Sequence, residues 1–188
     1  MRNKIIYQIL IGITCLYSTD EPIRYIDQLT VNRFSMVIDR SGSMSGNAIN
    51  DAKKAVNYFI DEMRDGDQAN VIAFGSRVSV YAEMSANKSN LKGAVGEIQP
   101  GGATALYDAI AKAATSLYNE GGARIIIFLT DGDDTSSNFL LKEISNMNLS
   151  EGIFIYGIGL GSVNKKGLDE LVDATGGSYY AAATSNDL

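Results

Sequence analysis

From Arg33 onward, the hydrophobic and polar positions predict strands and helices in alternation. Mostly apolar runs of strand length cover residues 34–38, 69–74 and 124–129, and between them apolar residues recur every three or four positions. Continuous apolar runs are typical of parallel strands that are covered on both faces. We therefore predict an α/β fold, with a doubly wound, mostly parallel sheet and helices on both faces.

One strand is predicted to break the parallel arrangement. Gly75 and Ser76 favour a tight turn into residues 77–82, where apolar and polar side chains alternate cleanly. Such alternation is typical of an antiparallel strand with one exposed face, so we expect one antiparallel strand at a sheet edge. Further along, the periodicity predicts a helix over residues 137–147 and a last strand over residues 178–181.

Residues 1–32 form a separate N-terminal segment with two interpretations. Arg2 and Lys4 precede an apolar stretch over residues 5–17, which is too short to span a bilayer as a helix and ends in polar residues. This order resembles a signal peptide, and residues 12–15 resemble a bacterial lipoprotein cleavage box apart from Thr14. The alternative is an extra structural element, because the stretch is rich in Ile and Tyr. Export or a cell-surface location is favoured over the cytoplasm, and membrane contact is expected only through such a signal or lipid anchor.

The candidate chemistry lies where the first buried strand ends. Asp39, Ser41 and Ser43 occupy alternate positions, and alternate side chains of an extended segment point to the same side. Gly42 allows the backbone to turn between the two serines. A single carboxylate with neutral hydroxyl oxygens suits a small hard cation such as Mg²⁺. The alternative is a polar turn that caps the following helix.

Two later elements accompany this motif. Thr104 lies in a glycine-flanked loop before an apolar-periodic helix, and Asp131 ends a second buried strand. In this order and at this spacing, the three elements resemble the metal-ion-dependent adhesion site of von Willebrand factor type A domains, and the resemblance extends over residues 33–188. The residues that match the five ligand positions of that family are Asp39, Ser41, Ser43, Thr104 and Asp131.

The resemblance implies a binding module rather than an enzyme. It implies a divalent ion, Mg²⁺ with Mn²⁺ or Ca²⁺ as alternatives, that accepts a carboxylate from a partner protein. Domains of this family normally end in an amphipathic helix, which is missing from the domain predicted over residues 33–188. We expect either that the chain is a fragment or that residues 5–16 cover the same face of the sheet.

Composition excludes several other functions. The net charge of −6 and the pI near 4.6 disfavour a nucleic-acid partner. The sequence has no histidine, which excludes Ser-His-Asp catalysis and imidazole zinc sites, and its only cysteine is Cys15. A metal-dependent hydrolase is disfavoured because the motif lacks a dedicated general base. The alternative function within the family is an assembly factor that works with an AAA-type ATPase or chelatase in the cytoplasm.

Three charged residues near the motif are predicted to have no role in the site. Asp133 and Asp134 follow Asp131 and are expected to form a solvated acidic turn. Arg40 lies between two of the ligand positions, so its side chain should point away from them. There it would either contact a partner or simply face solvent, and exposure to solvent is favoured.

Overall fold

The computed structural model describes residues 8–9, 31–161, 165–173 and 175–182. Its strands are β1 (Asn32–Asp39), β2 (Gln68–Phe74), β3 (Val78–Ser85), β4 (Ala123–Thr130), β5 (Ile153–Leu160) and β6 (Tyr179–Ala182). Its helices are α1 (Asn47–Glu62), α2 (Lys88–Glu97), α3 (Leu106–Leu117), α4 (Leu141–Glu151) and α5 (Lys165–Asp173), with a short 3₁₀ turn over Gly42–Met44. None of the described helices is both long and apolar enough to cross a membrane.

The strands form one sheet in the order β3-β2-β1-β4-β5-β6. Four of the neighbouring pairs are parallel, and only β2 and β3 run antiparallel. The predicted fold class is therefore confirmed, including the antiparallel strand at the edge. The chain extends outward from β1 through β2 to β3 and then returns to place β4 on the other side of β1. This reversal creates a topological switch point between β1 and β4.

Alternate residues of the central strands supply two separate hydrophobic cores. Met36 and Ile38 of β1 face α1 and α2, whereas Val37 between them packs in the core beneath α3, α4 and α5. The strand β4 divides in the same way, with Ile127 on the first side and Phe128 on the second. Burial on both faces explains why these strands appear as nearly continuous apolar runs in the sequence.

The N-terminal segment is described at Gln8 and Ile9, which are helical, and at Val31 and Asn32, where β1 begins. Ile9 is fully buried in the core on the α1 side, where it lines the same apolar space as Met36 and Phe59. The remaining residues of the predicted signal-like segment and residues 183–188 lie outside the described part. The division of the chain into segments 1–32 and 33–188 therefore stays a prediction.

The start of α4 corrects one sequence prediction. The periodicity placed a helix over residues 137–147, but α4 begins at Leu141. Asp108 of α3 accepts hydrogen bonds from the backbone N–H of Asn138 at 2.8 Å and of Phe139 at 3.0 Å. These bonds hold the segment as a loop against α3. The helix then begins where the Glu143 carboxylate accepts a bond from the backbone N–H of Leu140 at 2.8 Å.

Candidate metal centre

The candidate site lies at the switch point between β1 and β4. Asp39 is the last residue of β1, and Asp131 directly follows Thr130, the last residue of β4. The two strands are parallel neighbours, with Ile38 paired to Leu129, so both aspartates emerge at the same edge of the sheet. Ligands of open α/β sheets bind at this kind of position.

Four of the five predicted site residues are joined by hydrogen bonds. The backbone N–H of Ser41 donates to Asp39 Oδ1 at 2.7 Å, and the Oγ atoms of Ser41 and Ser43 are 3.0 Å apart. Ser43 Oγ also donates to Asp131 Oδ1 at 2.8 Å. The structure thus brings polar atoms of Asp39, Ser41, Ser43 and Asp131 into one continuous chain, although Asp131 lies 88 positions from Ser43.

Thr104 is held beside these hydrogen-bonded residues by backbone contacts. The N–H of Gly42 donates to the carbonyl of Gly102 at 2.9 Å, and the N–H of Thr135 donates to the carbonyl of Thr104 at 2.8 Å. Thr104 therefore lies between the first motif and the loop that follows Asp131. Among the described residues, no hydrogen bond joins its hydroxyl to the other four side chains.

Close backbone approach explains the glycines around Thr104. Gly102 has a φ of 98°, which favours glycine. A Cβ atom on Gly75 would lie 2.5 Å from the carbonyl oxygen of Gly101, so any side chain there would displace the Thr104 loop.

The carboxylate of Asp39 is buried without a cationic partner. Its exposed fraction is 0%, and no lysine or arginine of the described residues forms an ion pair with it. Burial raises the pKa of Asp39, and hydrogen bonds from Thr130 and Ser41 oppose that shift. An ionised carboxylate in such a place is stabilised by a bound cation.

The position of Arg40 corrects a second prediction. Its Nη1 atom donates to the carbonyl oxygens of Gln99 and Gly101, both at 3.3 Å. The side chain does not simply face solvent; it fixes the loop that carries Thr104. This contact is invisible in the sequence because its acceptors are backbone atoms about 60 positions away.

Asp134 corrects a third prediction, whereas Asp133 is exposed as expected. The Asp134 carboxylate accepts bonds from the hydroxyl and backbone N–H of Ser137 and from the backbone N–H of Tyr107 at 3.3 Å. It therefore ties the loop after Asp131 to the N-terminus of α3 instead of lying free in solvent.

Sequence reasoning missed Thr130. Its hydroxyl donates to Asp39 Oδ2 at 2.6 Å and accepts from the backbone N–H of Gly132 at 3.2 Å. Thr130 therefore links the Asp39 carboxylate to the turn that carries Asp131. The available signal was a hydroxyl residue that directly follows the apolar run 125–129 and precedes Asp131.

The donor atoms of the site suit a hard cation. Within the described residues, no group of three acidic, histidine or cysteine side chains could hold a metal ion. An ion at this site would therefore depend on the hydroxyl oxygens of Ser41 and Ser43 in addition to carboxylate oxygens. Such a set fits Mg²⁺, Mn²⁺ or Ca²⁺ better than ions that prefer thiolate or imidazole ligands.

The sequence pattern of the von Willebrand factor type A domain matches residues 35–188. The chain belongs to this family. The resemblance inferred from the three-part motif is thereby confirmed at the level of the family. Curated relatives of the domain include human inter-alpha-trypsin inhibitor heavy chain H4, which is 32% identical over 130 residues. That alignment covers 62% of this chain but only 14% of the heavy chain, and the hamster heavy chain H2 is covered over 15% of its length.

Solved structures share the fold of this type A domain. A von Willebrand factor type A protein from Catenulispora acidiphila superposes with a TM-score of 0.75 at 24% identity, covering 83% of this chain and 39% of that one. Proximal thread matrix protein 1 of the mussel byssus, in a structure described as having a zinc-occupied MIDAS motif, gives a TM-score of 0.75 at 23% identity. That match covers 85% of this chain and 43% of the mussel protein.

Proposed function

We propose that this type A domain is a metal-dependent protein-binding module. The residues that would hold a divalent ion are Asp39, Ser41, Ser43, Thr104 and Asp131. Mg²⁺ is the ion expected, with Mn²⁺ or Ca²⁺ as alternatives. When bound, the ion supplies positive charge and an open coordination position for a carboxylate of a partner protein. Binding is proposed instead of catalysis.

The observation that carries the proposal is the buried, uncompensated carboxylate of Asp39 beside a chain of hydroxyl groups. One hydroxyl and one backbone N–H donate to its oxygens, at 2.6 and 2.7 Å respectively. No described lysine or arginine neutralises its charge. A cation fits this environment because a buried charge is costly without a partner of opposite sign. The adjacent serine hydroxyls offer neutral oxygen ligands next to that charge.

The burial of the site residues indicates the direction from which a partner would approach. Asp39, Ser41 and Thr104 are buried, whereas Ser43 is exposed and Asp131 is half-buried. The deep residues can therefore hold an ion from below, and the open side lies towards Ser43 and Asp131. A carboxylate presented by a protein surface could reach this side without opening the domain.

Four of the five residues have a specific proposed role. Asp39 contributes negative charge, and Ser41 and Ser43 contribute neutral oxygens. Asp131 accepts a hydrogen bond from the Ser43 hydroxyl, which leaves a lone pair of the Ser43 oxygen available to an ion. With little negative charge in direct contact, an ion in this place keeps its attraction for an external carboxylate. The zinc-occupied motif of the related mussel structure supports a divalent ion at this position of the fold.

Titration calorimetry with Mg²⁺ and Mn²⁺ tests the proposal directly. We expect the wild-type chain to bind one ion and the Asp39→Ala variant to remain folded but lose binding. Asp133→Asn provides a matched control, because Asp133 is an exposed aspartate two positions from Asp131 that the proposal leaves outside the site. Equal affinity of wild type and Asp39→Ala would rule out this site, as would a loss of binding caused only by Asp133→Asn.

A further inference from the structure

The loop between Asp131 and α4 exposes two consecutive large hydrophobic side chains. Among the described residues, the large hydrophobic side chains that are exposed are those of Tyr118 at 56%, Phe139 at 41% and Leu140 at 68%. Single exposed apolar residues such as Tyr118 are ordinary on protein surfaces. Phe139 and Leu140 instead form an adjacent pair, which we name the apolar platform.

The apolar platform lies at the same edge of the sheet as the candidate metal centre. Its backbone contacts Asp108, whose Oδ1 atom is 3.0 Å from the N atom of Phe139. Thr135 donates its backbone N–H to the carbonyl of Thr104 at 2.8 Å, and Phe139 follows Thr135 by four positions, about 13 Å of fully extended chain. Because this loop bends against Asp108 in the first turn of α3, Phe139 lies on the order of 10 Å from Thr104. A ligand residue bound at the metal centre would therefore have neighbours within reach of the platform.

Hydrogen bonds fix the loop that carries the apolar platform. Asp108 accepts bonds from the backbone N–H of Asn138 and Phe139 and from the Asn138 side chain at 2.8 Å. Ser137 Oγ accepts a bond from the Asp108 backbone N–H at 3.0 Å, and Asp134 binds Ser137. Because the loop is already ordered, little of its conformational entropy is lost when a partner packs on it.

The charge around the apolar platform restricts what a partner can carry. Asp131, Asp133 and Asp134 belong to the same loop, and the whole chain has a net charge of −6. A carboxylate held at the metal centre would be neutralised there, whereas a second acidic residue nearby would be repelled by the loop. An apolar side chain meets no such penalty and can bury part of Phe139 and Leu140.

We propose that the apolar platform binds a large aliphatic or aromatic side chain of a partner segment whose single acidic residue binds at the metal centre. This inference rests on the proposed function, because it names the kind of partner for the same site. An extended chain rises about 3.3 Å per residue, so a separation of about 10 Å corresponds to roughly three positions. The partner is therefore a peptide segment with one acidic residue and an apolar residue about three positions away.

Selection from a displayed peptide library tests this inference. The library carries a fixed central aspartate with randomised flanking positions, and bound peptides are eluted from the immobilised full chain with EDTA after binding in MgCl₂. The variants are Phe139→Ser/Leu140→Ser, Leu140→Ser alone and Tyr118→Ser. Tyr118 is a matched control because it is an exposed aromatic residue at the far end of α3, about 18 Å along the helix.

For wild type and Tyr118→Ser, we expect EDTA-eluted peptides to be enriched in large apolar residues about three positions from the aspartate. The double variant should lose this enrichment and bind a selected peptide about tenfold more weakly, the loss expected when one large apolar side chain is no longer buried. Leu140→Ser should show a smaller loss, and it retains Phe139 if the double variant does not fold. Unchanged enrichment in the platform variants, or eluted peptides without an apolar preference, would overturn the inference alone. Absence of any EDTA-eluted wild-type pool would overturn the metal-dependent function with it.

Discussion

Replacing Thr130 with valine tests how the candidate metal centre is held in place. The hydroxyl of Thr130 donates to Asp39 Oδ2 at 2.6 Å, a distance typical of a hydroxyl bonded to an ionised carboxylate. Valine has nearly the same shape and remains a good strand residue, so the substitution removes the hydroxyl with little change in packing. It leaves Asp39 Oδ2 and the backbone N–H of Gly132 without this partner.

The size of the effect follows from that contact. A hydrogen bond to a charged group contributes about 1.5–3 kcal/mol, so the ion-free Thr130→Val protein should lose about that much free energy of unfolding at neutral pH. Loss of a side chain that orients a metal ligand typically weakens metal binding by about 10–100-fold. We therefore expect at least about tenfold weaker Mg²⁺ binding by Thr130→Val.

Urea unfolding in EDTA and titration calorimetry with Mg²⁺ measure the two effects separately. Thr130→Ser is the matched control because it retains the hydroxyl and removes only a methyl group. It should bind Mg²⁺ like the wild type even if it unfolds more easily, since the buried methyl contributes to stability alone. Wild-type affinity in Thr130→Val would refute the positioning role, and equally weak binding in both variants would show that packing matters and the hydroxyl does not.

Three other predictions concern the charge, the loop and the N-terminal segment. In EDTA, Asp39→Asn should unfold at a temperature no lower than that of the wild type, because burial disfavours the Asp39 charge. In excess MgCl₂, thermal scans should show stabilisation of the wild type only. Asp108→Ala should cost about 2 kcal/mol in urea unfolding and speed hydrogen exchange at Asn138 and Phe139, which donate to that carboxylate; unchanged exchange would contradict this. Ile9→Ala should lower the free energy of unfolding by about 2–5 kcal/mol, because Ile9 is fully buried. Deletion of residues 1–20 should destabilise the chain or make it associate. If the truncated protein is an equally stable monomer in sedimentation and thermal scans, this segment does not cover the sheet.

The sequence alone determined the fold class and the family. Central strands such as β1 and β4 are buried on both faces, and each therefore shows an apolar run in its own local sequence. The positions of Asp39 and Asp131 at strand ends could also be read in this way, because a change from apolar to polar residues marks where a strand leaves the core. Strand–helix alternation then predicts that such ends share one edge of the sheet.

Only the tertiary structure decided how the site and its surroundings are held. The hydroxyl of Thr130 bonds to the carboxylate of Asp39, 91 positions away in the sequence. The carboxylate of Asp108 accepts a bond from Asn138, 30 positions away. The second contact keeps residues 138–140 out of the helix that their periodicity predicted, so Phe139 and Leu140 are exposed in a loop. Local periodicity reports which residues prefer burial, but a side-chain hydrogen bond depends on which strand ends and helix starts become neighbours. That arrangement exists only once the sheet has formed.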